Sequence, residues 1–406
     1  MNTPKTVALH SRGNTQMLYF TGSSLSCDDR HLYLISDRSG SPNVYVHDLV
    51  SGEERMLTRN NAGTLKSYVY FDGTENSGLG KASVCLDPVR EVVYFIQNRD
   101  ICAVEPDGKI RRLNQIPDRQ MTAFTHVSND GRYLCVPTTD ARILDFDPDT
   151  QGTGLDKRPV YDIDARVQDE NLNSYLHVYD TRTGRETLCE PVPRCWITHV
   201  QFHPANSEWI LYNNEWPSFD CGIRRMNLFD GHVHRQLRNA GDGRSAADWV
   251  CHEMWSPDGN HVIYHGAYDH GPAFVGRYDL KAGGIIEIAL PAEYNAYGHF
   301  TVGNSGTLVC DGYYKRPEDT PPKRFNSTDF GADPHQKNAE YVSLVYADWD
   351  RKILTWTPLC KHGTDWLGQD AHPHAIFNHR GDAVYFSSRQ GKFVGVYSVS
   401  TDIPLT

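Results

Sequence analysis

Apolar residues along this chain alternate with polar ones in short runs, and each run breaks at Gly, Asp or Asn. HLYLISD, NVYVHDL, GRYLCVP, SYLHVYD, WILYNNE and HVIYHGA are the clearest examples. A period of two belongs to the β-strand, whose successive side chains leave opposite faces. Tyr, Val, Leu and Ile fill the runs, as they do in half-buried strands. Helical periodicity is sparse. Seven units line up, at about 24–58, 82–115, 124–190, 197–238, 250–290, 297–359 and 370–403. Each reads as an inner strand, an Asp-Gly type of turn, a strand, a loop, a strand ending in a Tyr-x-x-Asp-like pattern, a turn and a last strand. Four antiparallel strands repeated seven times predict an all-β, seven-bladed β-propeller occupying residues 1–406 as one domain. The last unit ends near Ser400, so residues 1–20 are expected to supply a strand that closes the ring and removes its open edge.

Two stretches interrupt the repeat, 141–172 and 314–339, both polar and rich in Asp, Pro and Lys. They read as loops on one face, framing a cleft. The net charge of −11 argues against nucleic acid as a partner, since such proteins carry a basic face. It leaves room for an anionic small substrate held by local basic groups. The ten cysteines include no Cys-x-x-Cys pair and are expected to be free thiols in a reducing compartment. The N-terminal stretch lacks the apolar run of a secretory signal, and no run of 18 apolar residues occurs. The expectation is a cytoplasmic protein without a membrane partner. Oligomeric state is not legible.

Within the repeat, a histidine recurs seven residues before the turn. His252 leads HEMWSPDG to Gly259, His299 leads HFTVGNSG to Gly306, and His374 leads HAIFNHRG to Gly381. His199 leads HVQFHPAN, with Asn206 at the glycine place. If each stretch is the same strand of its blade, the four imidazoles meet at the propeller axis. Converging imidazoles suit a metal or a proton-transfer site. His126 stands only five residues before Gly131 and falls out of register. His203, before Pro204, and His379 fall in turns and are expected to face solvent.

The seventh unit opens Gln369-Asp370-Ala371-His372-Pro373-His374. Residues two apart on a strand share a side, so His372 and His374 project together, and Pro373 stiffens the link. With a side-chain amide oxygen from Gln369 and a third imidazole from His299, they form a donor set for a divalent transition metal. The same pattern also fits a strand start with two hydrogen-bonded, partly exposed histidines. His252 has no partner like Gln369 nearby and is a candidate base; a core histidine bonded to a strand carbonyl is the plainer alternative. His199 is a candidate for the channel wall. Arg224 and Arg225, in SFDCGIRRMNLFDG, belong to the third strand of the fourth blade, where adjacent residues point to opposite faces. One of them can enter the cleft and hold a carboxylate. Serine-nucleophile, phosphate-loop and His-Glu-x-x-His motifs are missing.

The segment LYFTGSSLSCDDRHLYLISDRSGSPNVYVHDLVSGEERMLT resembles the first blade of oligogalacturonate lyases, as do HEMWSPDGNHVIYH and HFTVGNSGTLVCDG in later blades. QDAHPH is similar to that family's Gln-x-x-His-Pro-His metal motif. The blade phrases are shared with TolB-like propellers; their combination with the metal motif is far more specific. The resemblance implies a metal-dependent lyase, with manganese, that cleaves short uronic-acid oligosaccharides of pectin by β-elimination to a 4,5-unsaturated product. It implies His299, Gln369, His372 and His374 as metal ligands, His252 as base and Arg224 as the assisting arginine. Here Met226 stands where the family has an aromatic, and the run to the turn is one residue shorter, so Arg225 stays the alternative. A non-catalytic TolB-like scaffold and a metal-assisted hydrolase or epimerase of an acidic sugar are the competing readings.

Overall fold

The computed structural model describes every residue except 1, 61–82, 141, 143–168, 215–224, 240–248, 269–271, 291–297, 313–339, 366–370 and 403–406. Its strands form seven antiparallel sheets; in six of them the strands follow chain order from the axis outward, and in the last the N-terminal strand is outermost. The predicted seven-bladed propeller is the observed fold. Blade one consists of Thr15–Met17, His31–Ser36, Asn43–Asp48 and Glu54–Met56. In blade three the inner strand is broken into two pieces, Gln120–Thr122 and His126–Val127, both paired to Tyr133–Asp140.

The N-terminal strand Lys5–Ala8 pairs with Gly395–Ser400 and becomes the outer strand of the last blade. First and last segments of the chain thus share one sheet, and the ring has no open edge. The sequence placed the start of blade one at about Ser24, but its inner strand is Thr15–Met17, and only a bridge from Leu25 to Leu32 follows it. The tripeptide carries one apolar residue, Met17, so alternation could not mark it.

Seven apolar cores fill the seven gaps between blades. Along His31–Ser36, Leu32 and Leu34 pack toward the last blade and Tyr33 and Ile35 toward blade two. The middle strands are therefore buried on both faces, which is why LYLI is continuous rather than cleanly alternating. The core between the last and first blades extends across the axis through Tyr19, Phe20, Phe124 and Trp196.

Two turns recur for reasons legible in the sequence. At the first turn of blades one, three and five, a serine hydroxyl donates to an aspartate two residues on: Ser26 to Asp28, Ser128 to Asp130 and Ser256 to Asp258. At the turn after the third strand, Asp48, Asp180 and Asp279 each accept two backbone N–H groups from the following residues. These are Asx-type turns, and they explain the strand-ending aspartate of the repeat. Of the nine described cysteines none is in a disulfide; Cys27 and Cys189 are exposed and the others buried. Among the described residues no helix is long and apolar enough to cross a membrane.

Candidate metal centre

The histidine register converges as the repeat requires. Gly259, Gly306 and Gly381 all take positive φ in their turns, so the three hairpins superpose in kind. Seven residues upstream, His252 and His299 have ring centroids 4.7 Å apart, His299 and His374 4.2 Å, and His199 and His252 5.7 Å. The third blade contributes Phe124 at the same register, stacked 3.7 Å from Tyr19. His126 lies outside this ring: its Nδ1 accepts the N–H of Phe202.

His299, His372 and His374 each offer one ring nitrogen, and these three atoms lie within 4.8 Å of one another. With metal–imidazole bonds of about 2.0–2.1 Å one ion's donors stand roughly 3.4 Å apart in a tetrahedron, so the three rings would draw together around an ion. Gln369 and Asp370 lie outside the described residues, so the fourth predicted ligand is not placed. The donors suit a metal chemically. Burial pushes His299 and His372 down to about 3, and holds His374 well below the ordinary imidazole range, with neighbouring histidines adding to the effect. All three are neutral at pH 7, with lone pairs available to a cation.

Asp311, within the HFTVGNSGTLVCDG phrase but not among the expected site residues, organises this group. It sits opposite His299 across the hairpin and is fully buried. One carboxylate oxygen accepts the backbone N–H of His299 at 2.6 Å. The other accepts His299 Nδ1–H at 2.8 Å and the backbone N–H of His374 at 2.8 Å. That fixes the His299 tautomer and leaves Nε2 as its donor atom. Burial raises the Asp311 carboxyl, and the histidines around it oppose that shift.

His252 is shaped by the backbone. Cys251 pairs with His265 and Met254 with Ile263, so two residues, His252 and Glu253, bulge opposite Tyr264. His252 takes φ of 53° and His374 φ of 46°, left-handed conformations that cost a non-glycine residue on the order of 1–3 kcal/mol. Such strain persists where the surrounding structure enforces it, and here it sits at two of the five histidines of one cluster. The sequence offers His252 no partner like Gln369 nearby. Instead its Nδ1 lies 2.6 Å from Nε2 of His265, with the rings stacked at 4.8 Å. Burial, with His299 and His265 beside it, pushes His252 well below the usual imidazole range, so it is neutral at pH 7.

His199 is buried beside His252, with its Nε2 2.9 Å from the Tyr19 hydroxyl. Phe20 packs edge-on to His252 and His374 at 5.1 and 5.0 Å and closes the centre. Arg224 lies outside the described residues. Arg225 begins the third strand of blade four, pairing with Asn214 and Asn239, and its side chain is not described. Nearly all of the two insertions also falls outside the described residues. His203 and His379 are half-buried and not simply solvent-facing. His203 bonds the Gly259 carbonyl and packs on Trp255, and His379 bonds Ser23 and the Leu25 carbonyl, so each stitches its blade to the next.

The missed residues share a signal. Asn213, His265, Asp311 and Ser387 lie 12 to 14 positions after the register histidines, on the second strand of the same hairpins, and all four are buried. A hairpin with a fixed turn brings these positions opposite each other. Asn213, His265 and Asp311 each bond the register histidine of their own hairpin, whereas the Ser387 hydroxyl accepts the Met17 N–H.

No family model matches the chain, and neither does any curated protein. Solved structures do. A structure described as oligogalacturonate lyase in complex with manganese is 18% identical, with a TM-score of 0.69 over 96% of this chain and 90% of that one. The oligogalacturonate lyase of Vibrio parahaemolyticus is 17% identical, with a TM-score of 0.71 over 99% and 94%. Its full-length structural neighbours include oligogalacturonate lyases. A puromycin hydrolase mutant matches at a TM-score of 0.58 and 12% identity over 99% of this chain and 55% of that one. At these identities the likeness establishes the propeller fold.

Proposed function

We propose that this protein is a metal-dependent lyase that cleaves short uronic-acid oligosaccharides, oligogalacturonides first, by β-elimination. The observation that carries the reading is the meeting, in one ring, of a three-imidazole donor set and a neutral fourth imidazole, His252, one ring contact away. The fold's similarity to oligogalacturonate lyases, one of them in complex with manganese, supports the substrate class and favours Mn2+ as the ion.

His299, His372 and His374 would hold the metal, and Gln369 is proposed as a further ligand. When bound, a divalent cation supplies positive charge beside the uronate carboxylate and so lowers the cost of carbanion character at C5. The C5 proton then passes to Nε2 of His252, the ring nitrogen not engaged by His265. The electron pair left on C5 forms the C4–C5 double bond as the C4–O4 bond breaks, and the leaving alcohol takes a proton from the site or from water. A base at this position contributes about 10²–10⁴-fold. Arg224, with Arg225 as alternative, is proposed to orient the sugar or offset developing charge. The Tyr19–His199 pair closes the wall of the channel.

The test is a product assay with digalacturonate and trigalacturonate in the presence of Mn2+. Ultraviolet absorbance of an unsaturated product should rise, stop with EDTA and vanish in His252→Gln. Products whose masses show added water would replace the lyase reading with a hydrolase. Inactivity on a panel of galacturonate, glucuronate and iduronate oligomers, with metal bound, would sink the reading.

A further inference from the structure

We infer that His265 is a positioning residue: it holds His252 in the one tautomer in which that residue can act as a base. This rests on the lyase reading above. The inference starts from the distance. Nδ1 of His252 and Nε2 of His265 are 2.6 Å apart, and both residues are buried. Two unprotonated ring nitrogens do not approach so closely, so one proton lies between them.

Neutral imidazole has a single N–H. If His265 donates, His252 carries its own proton on Nε2 and has no lone pair there for a C–H proton. If His252 donates from Nδ1, its Nε2 is unprotonated and available. Only the second arrangement is compatible with base catalysis. In it, His265 is the acceptor through Nε2 and keeps its own proton on Nδ1.

The comparison with the other hairpins shows that this contact is particular to blade five. Asn213 accepts the backbone N–H groups of Thr198 and His199, and Asp311 accepts those of His299 and His374. At the matching place His265 meets the ring of His252, as the Asp311 carboxylate meets that of His299, but here the partner is a second imidazole. It can do so because the bulge and the left-handed φ of His252 swing that ring back toward the second strand. The strain at His252 thus has a use: it sets one imidazole against the other. When His252 gains the C5 proton it becomes an imidazolium, and its Nδ1–H bond to His265 becomes charge-assisted and stronger. The proton stays on Nε2 of His252 and leaves from there to water or the leaving oxygen, so His265 exchanges nothing and the step balances without it.

The experiment has two arms. The first is ¹⁵N long-range NMR of the histidine side chains in the intact protein loaded with diamagnetic Zn2+ in place of paramagnetic Mn2+, assigned with His265→Gln. His252 protonated on Nδ1 supports the inference, and His252 protonated on Nε2 overturns it, whatever the activity. The second is kinetics. His265→Leu should lower kcat at least tenfold with KM changed less than threefold and metal content unchanged. His265→Gln, whose amide oxygen can accept from Nδ1–H, should recover part of that loss. Leucine and glutamine variants equal to wild type in kcat would overturn the inference while leaving the lyase reading intact. A wild-type protein inactive on every uronide fails that reading instead, and the NMR result then stands alone.

Discussion

Asp311→Asn is the substitution that tests how the metal centre is organised. The carboxylate accepts three N–H groups, from the His299 backbone, the His299 ring and the His374 backbone. An amide has one acceptor oxygen and a donor in place of the other. With its oxygen toward the His299 backbone, its NH2 group confronts the His299 ring and the His374 N–H. The ring then escapes by moving its proton to Nε2, which removes the lone pair the metal needs. With the oxygen turned the other way, a buried backbone N–H of His299 meets another donor, at a cost of about 1–3 kcal/mol. Losing such an outer partner costs about 10–100-fold in metal affinity, or roughly 1.4–2.7 kcal/mol. A neutral amide is also cheaper to bury than a carboxylate, so the apo melting temperature is not the deciding quantity. The assay is calorimetric titration of metal-stripped protein with MnCl2 at neutral pH, with circular dichroism to verify the fold. A dissociation constant within twofold of wild type, in a folded variant, would refute the role given to Asp311.

Acid should destabilise the metal-free protein. His126 is pushed down to about 4 and His299 and His372 to about 3 by burial, and His252 and His374 lie well below their ordinary value. In the unfolded chain each titrates near about 6.5, so below that pH the unfolded state binds protons that the native state refuses. Each such group removes up to about 1.4 kcal/mol per pH unit, and urea midpoints should fall steadily from pH 7 to 5; a flat profile contradicts the neutral burial of these rings. Gly298→Ala places a Cβ 2.8 Å from the Gly312 carbonyl and 2.9 Å from its nitrogen, beside His299. Overpacking of this kind costs about 1–3 kcal/mol, and both thermal stability and Mn2+ affinity should drop, whereas an unchanged melt would show that the two strands can part freely. Arg238 is fully buried and bonds Glu287, which also accepts the Tyr264 and Tyr268 hydroxyls. Arg238→Met strands that carboxylate at a cost of about 3–5 kcal/mol, measurable by urea denaturation, and a loss below 1 kcal/mol would mean water replaces the guanidinium.

Reading partners from the sequence worked where geometry repeats and stopped where it is exceptional. The turn glycines set a fixed offset, so His199, His252, His299 and His374 could be placed together before any coordinates existed. His203 and His379 are only partly exposed, because turn position says nothing of the neighbouring blade, whose Trp255 and Leu25 carbonyl contact them. His265 lies at the same offset as Ser387, but its contact with the His252 ring depends on the bulge and positive φ at His252, which no local pattern announces.

By itself the sequence determined the strands, the seven-fold repeat and the register of the histidines, because a period of two and recurring turns are local properties of the chain. Only the tertiary structure decided where the inner strand of blade one lies, which polar residues meet the histidines, and which of the histidines are held neutral. Those outcomes depend on burial and on partners far away in the chain, and both exist only once seven blades close around one axis.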